Sequence, residues 1–207
     1  MIIIDVISDT VCPWCYIGKK QLDLAIDQRK DIEFSVTYKP FQLDPTMPLE
    51  GVDRKKYIER KFGEKTVKEA GLRISQAGDE VGIKFNYDKI DITPNTFNSH
   101  RLIRWSLPYN KQSELLDFLF IAYFEEGKNI GDTDILLQIS EELNLNKDDI
   151  KESFLNDIDR KEVEAEEWSF RDLGIAGVPT YIINKEIIIT GAQSSDNFVK
   201  LFDKIAS

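Results

Sequence analysis

Ile2-Ile3-Ile4-Asp5-Val6-Ile7-Ser8-Asp9-Thr10-Val11-Cys12-Pro13-Trp14-Cys15-Tyr16-Ile17-Gly18 is the stretch on which the fold turns. Residues 2–7 form a short β-branched run that reads as a buried strand. Residues 16–28 carry Ile17, Leu22, Leu24, Ala25 and Ile26 in a loosely helical pattern. A strand therefore hands over to a helix at Cys12-Pro13-Trp14-Cys15, with Pro13 suited to the first helical position. Cys12 and Cys15 are the chain's 2 cysteines. Their spacing is the one in which a thiolate attacks a disulfide and its neighbour resolves the mixed intermediate.

Placed at or beside the N-cap, the Cys12 sulfur faces unpaired backbone N–H groups and the positive end of the helix dipole. Thiols in such settings fall to roughly pKa 3.5–7.5 from about 8.5. Cys12 is accordingly expected to be the nucleophile, and Cys15, one turn further in and less exposed, the resolving thiol. No histidine stands between them; Trp14 supplies bulk and a donor instead. Buried cysteines acting as small hydrophobes explain this junction poorly. A zinc site needs about four ligands, whereas the chain offers two thiols and the distant His100, its 1 histidine.

With 27 Lys and Arg against 37 Asp and Glu, the formal net charge is −10. That balance argues against nucleic acid or an anionic membrane as partner, since no basic run is seen to offset it. Met1 leads straight into the first strand without the basic region of a signal peptide, and the longest apolar runs fall far short of a membrane span. Both point to the cytoplasm, where an isolated vicinal dithiol is more often catalytic than structural.

Residues 32–38 alternate with period two and read as a second strand. Pro40, Pro45, Pro48 and Gly51 then break regular structure, and residues 52–158 read as helical throughout. Asn95 or Thr96 caps a helix with Phe97, Ile103 and Leu107 that stops at Pro108. Gly127 closes the next helix; Asp132 opens another, and Asn146 or Lys147-Asp148 one more. Glu162, Glu164, Glu166 and Glu167 read as a solvated helix face. Residues 178–183 and 186–190, joined at Asn184-Lys185, read as a hairpin, and a helix capped by Ser194 or Ser195 follows. The expected fold is α/β: a thioredoxin-like domain, with a central sheet and flanking helices, interrupted by an all-helical insertion. Residues 1–47 and 159–207 would form the former and 48–158 the latter.

The chain resembles the DsbA superfamily, and within it the cytosolic FrnE-like branch, almost end to end. The likeness rests on residues 8–18 around C-P-W-C-Y-I-G, on Phe41-Gln42-Leu43-Asp44-Pro45, and on Pro94-Asn95-Thr96 with His100-Arg101. It continues through Ala122-Tyr123-Phe124-Glu125-Glu126-Gly127, Gly174-Ile175-Ala176-Gly177-Val178-Pro179-Thr180 and Gly191-Ala192-Gln193. It implies a cis Val178–Pro179 bond opposite the dithiol, with the Val178 backbone free to pair with an extended substrate. It also implies that Asn95, Thr96 and His100 border a groove over the dithiol, although a packed or capping role suits His100 equally. Asp5, seven residues before Cys12, is a candidate buried proton shuttle that strand alternation would equally turn outward.

The resemblance implies a thiol–disulfide oxidoreductase exchanging disulfides with a protein or a small thiol. No bound cofactor is implied, and glutathione is a candidate redox co-substrate. The missing histidine points toward reduction or isomerisation rather than oxidation. Two rivals stay open: a glutathione-dependent isomerase or transferase related to 2-hydroxychromene-2-carboxylate isomerase and the kappa-class transferases, which place a serine at the Cys12 position, and a non-catalytic redox-sensing module. Monomer and homodimer are both compatible with the sequence.

Overall fold

A computed structural model describes residues 1–206. β1 (Ile2–Ser8) runs into α1 (Pro13–Gln28), which crosses over to β2 (Phe34–Pro40). β5 (Thr180–Ile183), β6 (Ile187–Thr190) and α9 (Ser195–Ala206) complete the sheet unit. Between the two groups lie β3 (Val52–Asp53), α2 (Arg54–Phe62), α3 (Glu64–Glu80), β4 (Ile92–Thr93), α4 (Phe97–Ser106), α5 (Gln112–Phe124), α6 (Thr133–Glu142), α7 (Lys147–Leu155) and α8 (Arg160–Asp172).

The sheet order is β2-β1-β5-β6. β1 pairs parallel with β2, Ile4 opposite Val36, as a crossover through α1 requires. It pairs antiparallel with β5, Ile4 opposite Ile183 and Ile7 opposite Thr180. Alternation along β1 sends Ile4 and Val6 to one face and Ile7 to the other. The first face packs with Leu22 and Ala25 of α1 and Phe198 and Phe202 of α9. On the second face Ile7 meets Phe41, Phe170 and Ile175.

The helical segment joins the same core rather than building its own. The Tyr16 ring of α1 stacks on Phe120 of α5 with centroids 4.8 Å apart, and its hydroxyl donates to Glu125 at 2.7 Å. Lys19, 1% exposed, is held between Asp23 and Asp117, each at 2.8 Å. Three expectations need correction. The stretch 52–158 contains a short antiparallel ladder, Val52 opposite Thr93 and Asp53 opposite Ile92. Such two-residue strands are too short to show any periodicity. Glu166 and Glu167 also leave the expected solvated face: Glu166 pairs with Lys39 at 2.8 Å, and Glu167 is buried against β2's exit loop. Nor is the acidic chain without a basic stretch. α2 carries Arg54, Lys55, Lys56, Arg60 and Lys61 among its 9 residues, against the single acid Glu59.

Candidate active site

Cys12 is the N-cap of α1, at φ −92° and ψ 114°, with Pro13 opening the helix and no side chain capping it. The Cys12 carbonyl accepts from the Cys15 N–H at 3.0 Å, and the Cys12 N–H donates to Asp9 O at 3.1 Å. The backbone thus starts the helix at the cysteine itself and leaves the sulfur at the positive end of the helix dipole. Across the sheet, the Cys12 thiol donates to the Val178 carbonyl at 3.7 Å, and the Val178–Pro179 peptide is cis. Gly18 lets α1 press this close. A Cβ there would collide with the Tyr181 hydroxyl and lie 3.1 Å from Pro179 Cγ.

Both thiols are free. The expected contrast in exposure is small, since Cys12 is 4% and Cys15 2% exposed. Environment separates them instead. Burial pushes the Cys15 thiol well above its usual pKa, and the adjacent Cys12 adds to the rise; the Ser8 hydroxyl and the Asp9 backbone pull the other way. Trp14, 37% exposed, stands at the rim.

Asn95, Thr96 and His100 come together near the dithiol loop. The Gln42 amide donates toward Asn95 Oδ1 at 3.3 Å and Thr96 Oγ1 at 3.4 Å. Asn95 Nδ2 donates to Met47 O at 2.7 Å, and Asn95 Oδ1 accepts from Phe97 N at 2.9 Å; Thr96 is the N-cap residue of α4 but its side chain makes no capping hydrogen bond. Asp5 lies mid-strand, half-buried on β1 between Thr37 and Ile182. The acid beside the dithiol is Asp9, 1% exposed. Its Oδ2 accepts from Leu43 N at 2.7 Å, and its Oδ1 lies 3.5 Å from His100 Nε2. Thr10 and Ser99 share a hydrogen bond at 2.8 Å alongside. The reading of the sequence passed over Asp9; its placement on the three residues leading into the Cys12 turn was the available signal. Among the described residues, no group of 3 or more His, Cys, Asp or Glu is placed to hold a metal ion, and no helix is long and apolar enough to cross a membrane.

The family model of the DSBA-like thioredoxin domain matches residues 3–203. The uncharacterised protein YwbO of Bacillus subtilis (strain 168) is 31% identical over 201 residues, covering 95% of this chain and 94% of YwbO. A probable DsbA oxidoreductase from Streptomyces coelicolor superposes with a TM-score of 0.89 at 21% identity, covering 99% of this chain and 89% of that one. The cytosolic disulfide reductase DsbM from Pseudomonas aeruginosa, in a structure with GSH, gives a TM-score of 0.72 at 16% identity over 99% of this chain and 98% of its own. At these identities the two solved structures establish a shared fold.

Proposed function

The chain belongs to the DSBA-like thioredoxin domain family, and from that premise we propose that it is a thiol–disulfide oxidoreductase working through Cys12 and Cys15. One observation carries the reading: Cys12 is the N-cap of an uncapped helix, with Cys15 one turn behind it and its thiol raised in pKa by burial. The Cys12 thiolate attacks one sulfur of a substrate disulfide. A mixed disulfide forms, and the departing sulfur leaves as a thiolate that takes up a proton. Cys15 then gives up its proton and attacks Cys12 Sγ, releasing the second substrate thiol. The substrate gains two electrons and the enzyme ends with a Cys12–Cys15 disulfide. Burial favours the protonated form of the Cys15 thiol, so loss of that proton is a condition for resolving the mixed disulfide. Val178, whose carbonyl already faces Cys12, offers backbone for an extended substrate, with Pro13, Trp14 and Pro179 shaping the rim and Asn95, Thr96 and His100 the more distant wall.

We place the reaction in the reducing or isomerising direction and in the cytoplasm, with glutathione regenerating the dithiol. The support is chemical: no imidazole stands between the two cysteines to stabilise the thiolate, and a less stabilised reduced form is a better reductant. In the domain reading, residues 1–47 and 159–207 hold the dithiol, and 48–158 roofs it.

The test is a trapping experiment. Incubated with oxidised glutathione, the wild-type protein is expected to lose the mass of two hydrogens as the internal disulfide forms. Cys15→Ser accumulates a glutathione adduct, and Cys12→Ser does neither. An absent internal bridge in the wild type overturns the reading. Glutathione-dependent isomerase turnover surviving in Cys12→Ser would instead favour the isomerase rival.

A further inference from the structure

An acid and an imidazole are buried together behind the Cys12 turn without a hydrogen bond between them. Asp9 Oδ1 and His100 Nε2 are 3.5 Å apart, beyond the roughly 2.7–3.2 Å of an N–H···O bond. Among the described residues neither atom has another hydrogen-bond partner, and the two side chains are only 1% and 3% exposed. Direct contacts tie the pair to the dithiol. The Asp9 carbonyl accepts from the Cys12 N–H at 3.1 Å. The next residue, Thr10, shares a 2.8 Å hydrogen bond with Ser99, the neighbour of His100 on α4. Asp9 Oδ2 is held by Leu43 N at 2.7 Å, which keeps Oδ1 turned toward the imidazole.

On its other side His100 lines a cavity of about 30 Å³ between β2, α4 and α8, large enough to admit water and so to exchange a proton. The charged groups there are Lys39, Arg104 and Glu166, and Glu166 pairs with both cations, at 2.8 and 3.3 Å. Tyr38 of β2 lines the cavity too. Toward Asp9 stand Tyr57 of α2, donating to Asp44 at 2.8 Å, and Tyr123 of α5. Burial raises all three phenols, which keep their protons. Apart from the thiols, the charge free to change between pH 5 and 8 is therefore that of the imidazole. A bare carboxylate oxygen behind Cys12 opposes a thiolate, whose charge has the same sign. A proton on His100 lifts that opposition, because an imidazolium closes on Asp9 Oδ1 as a charge-assisted bond and leaves the pair neutral overall.

We propose that His100, held by Asp9, is a redox-linked proton site: it takes up a proton when the dithiol forms and gives it up when the Cys12–Cys15 disulfide forms. The inference rests on these two cysteines being the redox couple. Atoms and charges balance. The internal disulfide, two electrons and two protons give a Cys12 thiolate, a Cys15 thiol and a His100 imidazolium. When a substrate disulfide is reduced, the two electrons pass to it, and its two thiols take up the two protons that Cys15 and His100 release. His100 acts through Asp9, as a positioning residue.

The chain has 1 histidine, so its carbon-bound ring protons report His100 alone in the unmodified protein. Proton NMR follows them against pH in the reduced and the oxidised protein. The imidazole is expected to keep its proton to higher pH in the reduced form, by about threefold to tenfold in proton affinity. A purely structural histidine would titrate alike in both. Coupling is reciprocal, so the exchange equilibrium with glutathione should move by the same factor over that pH range, toward the dithiol as pH falls. His100→Gln removes this component of the pH dependence. Asp9→Asn, which keeps an oxygen for Leu43 N, lowers the His100 midpoint in both redox states. Equal midpoints in the reduced and oxidised wild type, a His100 signal that does not titrate, or a pH dependence unchanged in His100→Gln overturns the proposal. Failure of the wild type to form the internal disulfide with oxidised glutathione counts against the oxidoreductase reading instead.

Discussion

Glu167 sits on a helix crowded with acids, yet its side chain is only 6% exposed. One carboxylate oxygen accepts from the Gln42 N–H at 3.0 Å and from Arg171 at 2.7 Å, and so fixes the loop whose Gln42 side chain reaches Asn95 and Thr96. Glu167→Ala strands a buried backbone donor and a guanidinium, and should lower the unfolding free energy in urea by about 2–3 kcal/mol. Nothing local announces this role, because Glu164 and Glu167 look alike until the partner loop arrives. The same limit explains Asp5 and Asp9. Which acid borders the dithiol is decided by Leu43 and His100, which lie 34 positions beyond Asp9 in one case and 91 in the other (100 − 9). By contrast, the seating of Cys12 at the helix mouth was legible, because a proline at the first helical position is a local, steric signal. A second consequence belongs to single side chains. Since burial holds the Cys15 thiol above its usual range, iodoacetamide at pH 8 should leave Cys15 unlabelled in the folded protein, as peptide mapping would read.

Among the elements, the hairpin between β5 and β6 was legible, but its strands are shorter than expected and pair Ile183 with Ile187, so the turn spans 184–186 rather than two residues. Asn184 and Lys185 take φ of 51° and 62°, and Glu186 N donates back to Ile183 O at 3.1 Å. Two successive left-handed residues turn the chain sharply enough to bring the strands together. Asn184 also clamps β1, its Oδ1 accepting from Ile3 N at 2.9 Å. Lys185 has no such compensation for its left-handed backbone, so Lys185→Gly should raise the thermal midpoint, corresponding to about 0.5–1 kcal/mol. Two helix starts were legible from a capping side chain: Asp132 accepts from Asp134 N at 2.9 Å, and Asn146 from Asp148 N at 3.1 Å; the cap of α2, where Asp53 accepts from Lys56 N at 2.9 Å, was not. β3 and β4 were not legible, since each is 2 residues long and their pairing is a tertiary fact.

Seen whole, the chain has one principal core that holds Ile4, Val6 and Leu22 together with Leu119, Phe120 and Leu136. The order of strands and helices made an interrupted sheet readable from the sequence. Continuity of the interior was not, because it depends on which face of α1 meets α5. A shared interior predicts shared melting: far-ultraviolet circular dichroism, reporting mostly helices, and tryptophan fluorescence from Trp14, Trp105 and Trp168 should give coincident urea transitions. Two separated midpoints would show that the segments fold independently. The shared interior also bears on synthesis. Cys12 and the Val178 carbonyl that faces it are 166 positions apart. At about 5–20 residues per second, a ribosome delivers the second on the order of ten seconds after the first. Throughout that interval the nascent chain carries two bare thiols without the strand that flanks them, and any chemistry depending on that strand begins only once translation is nearly done.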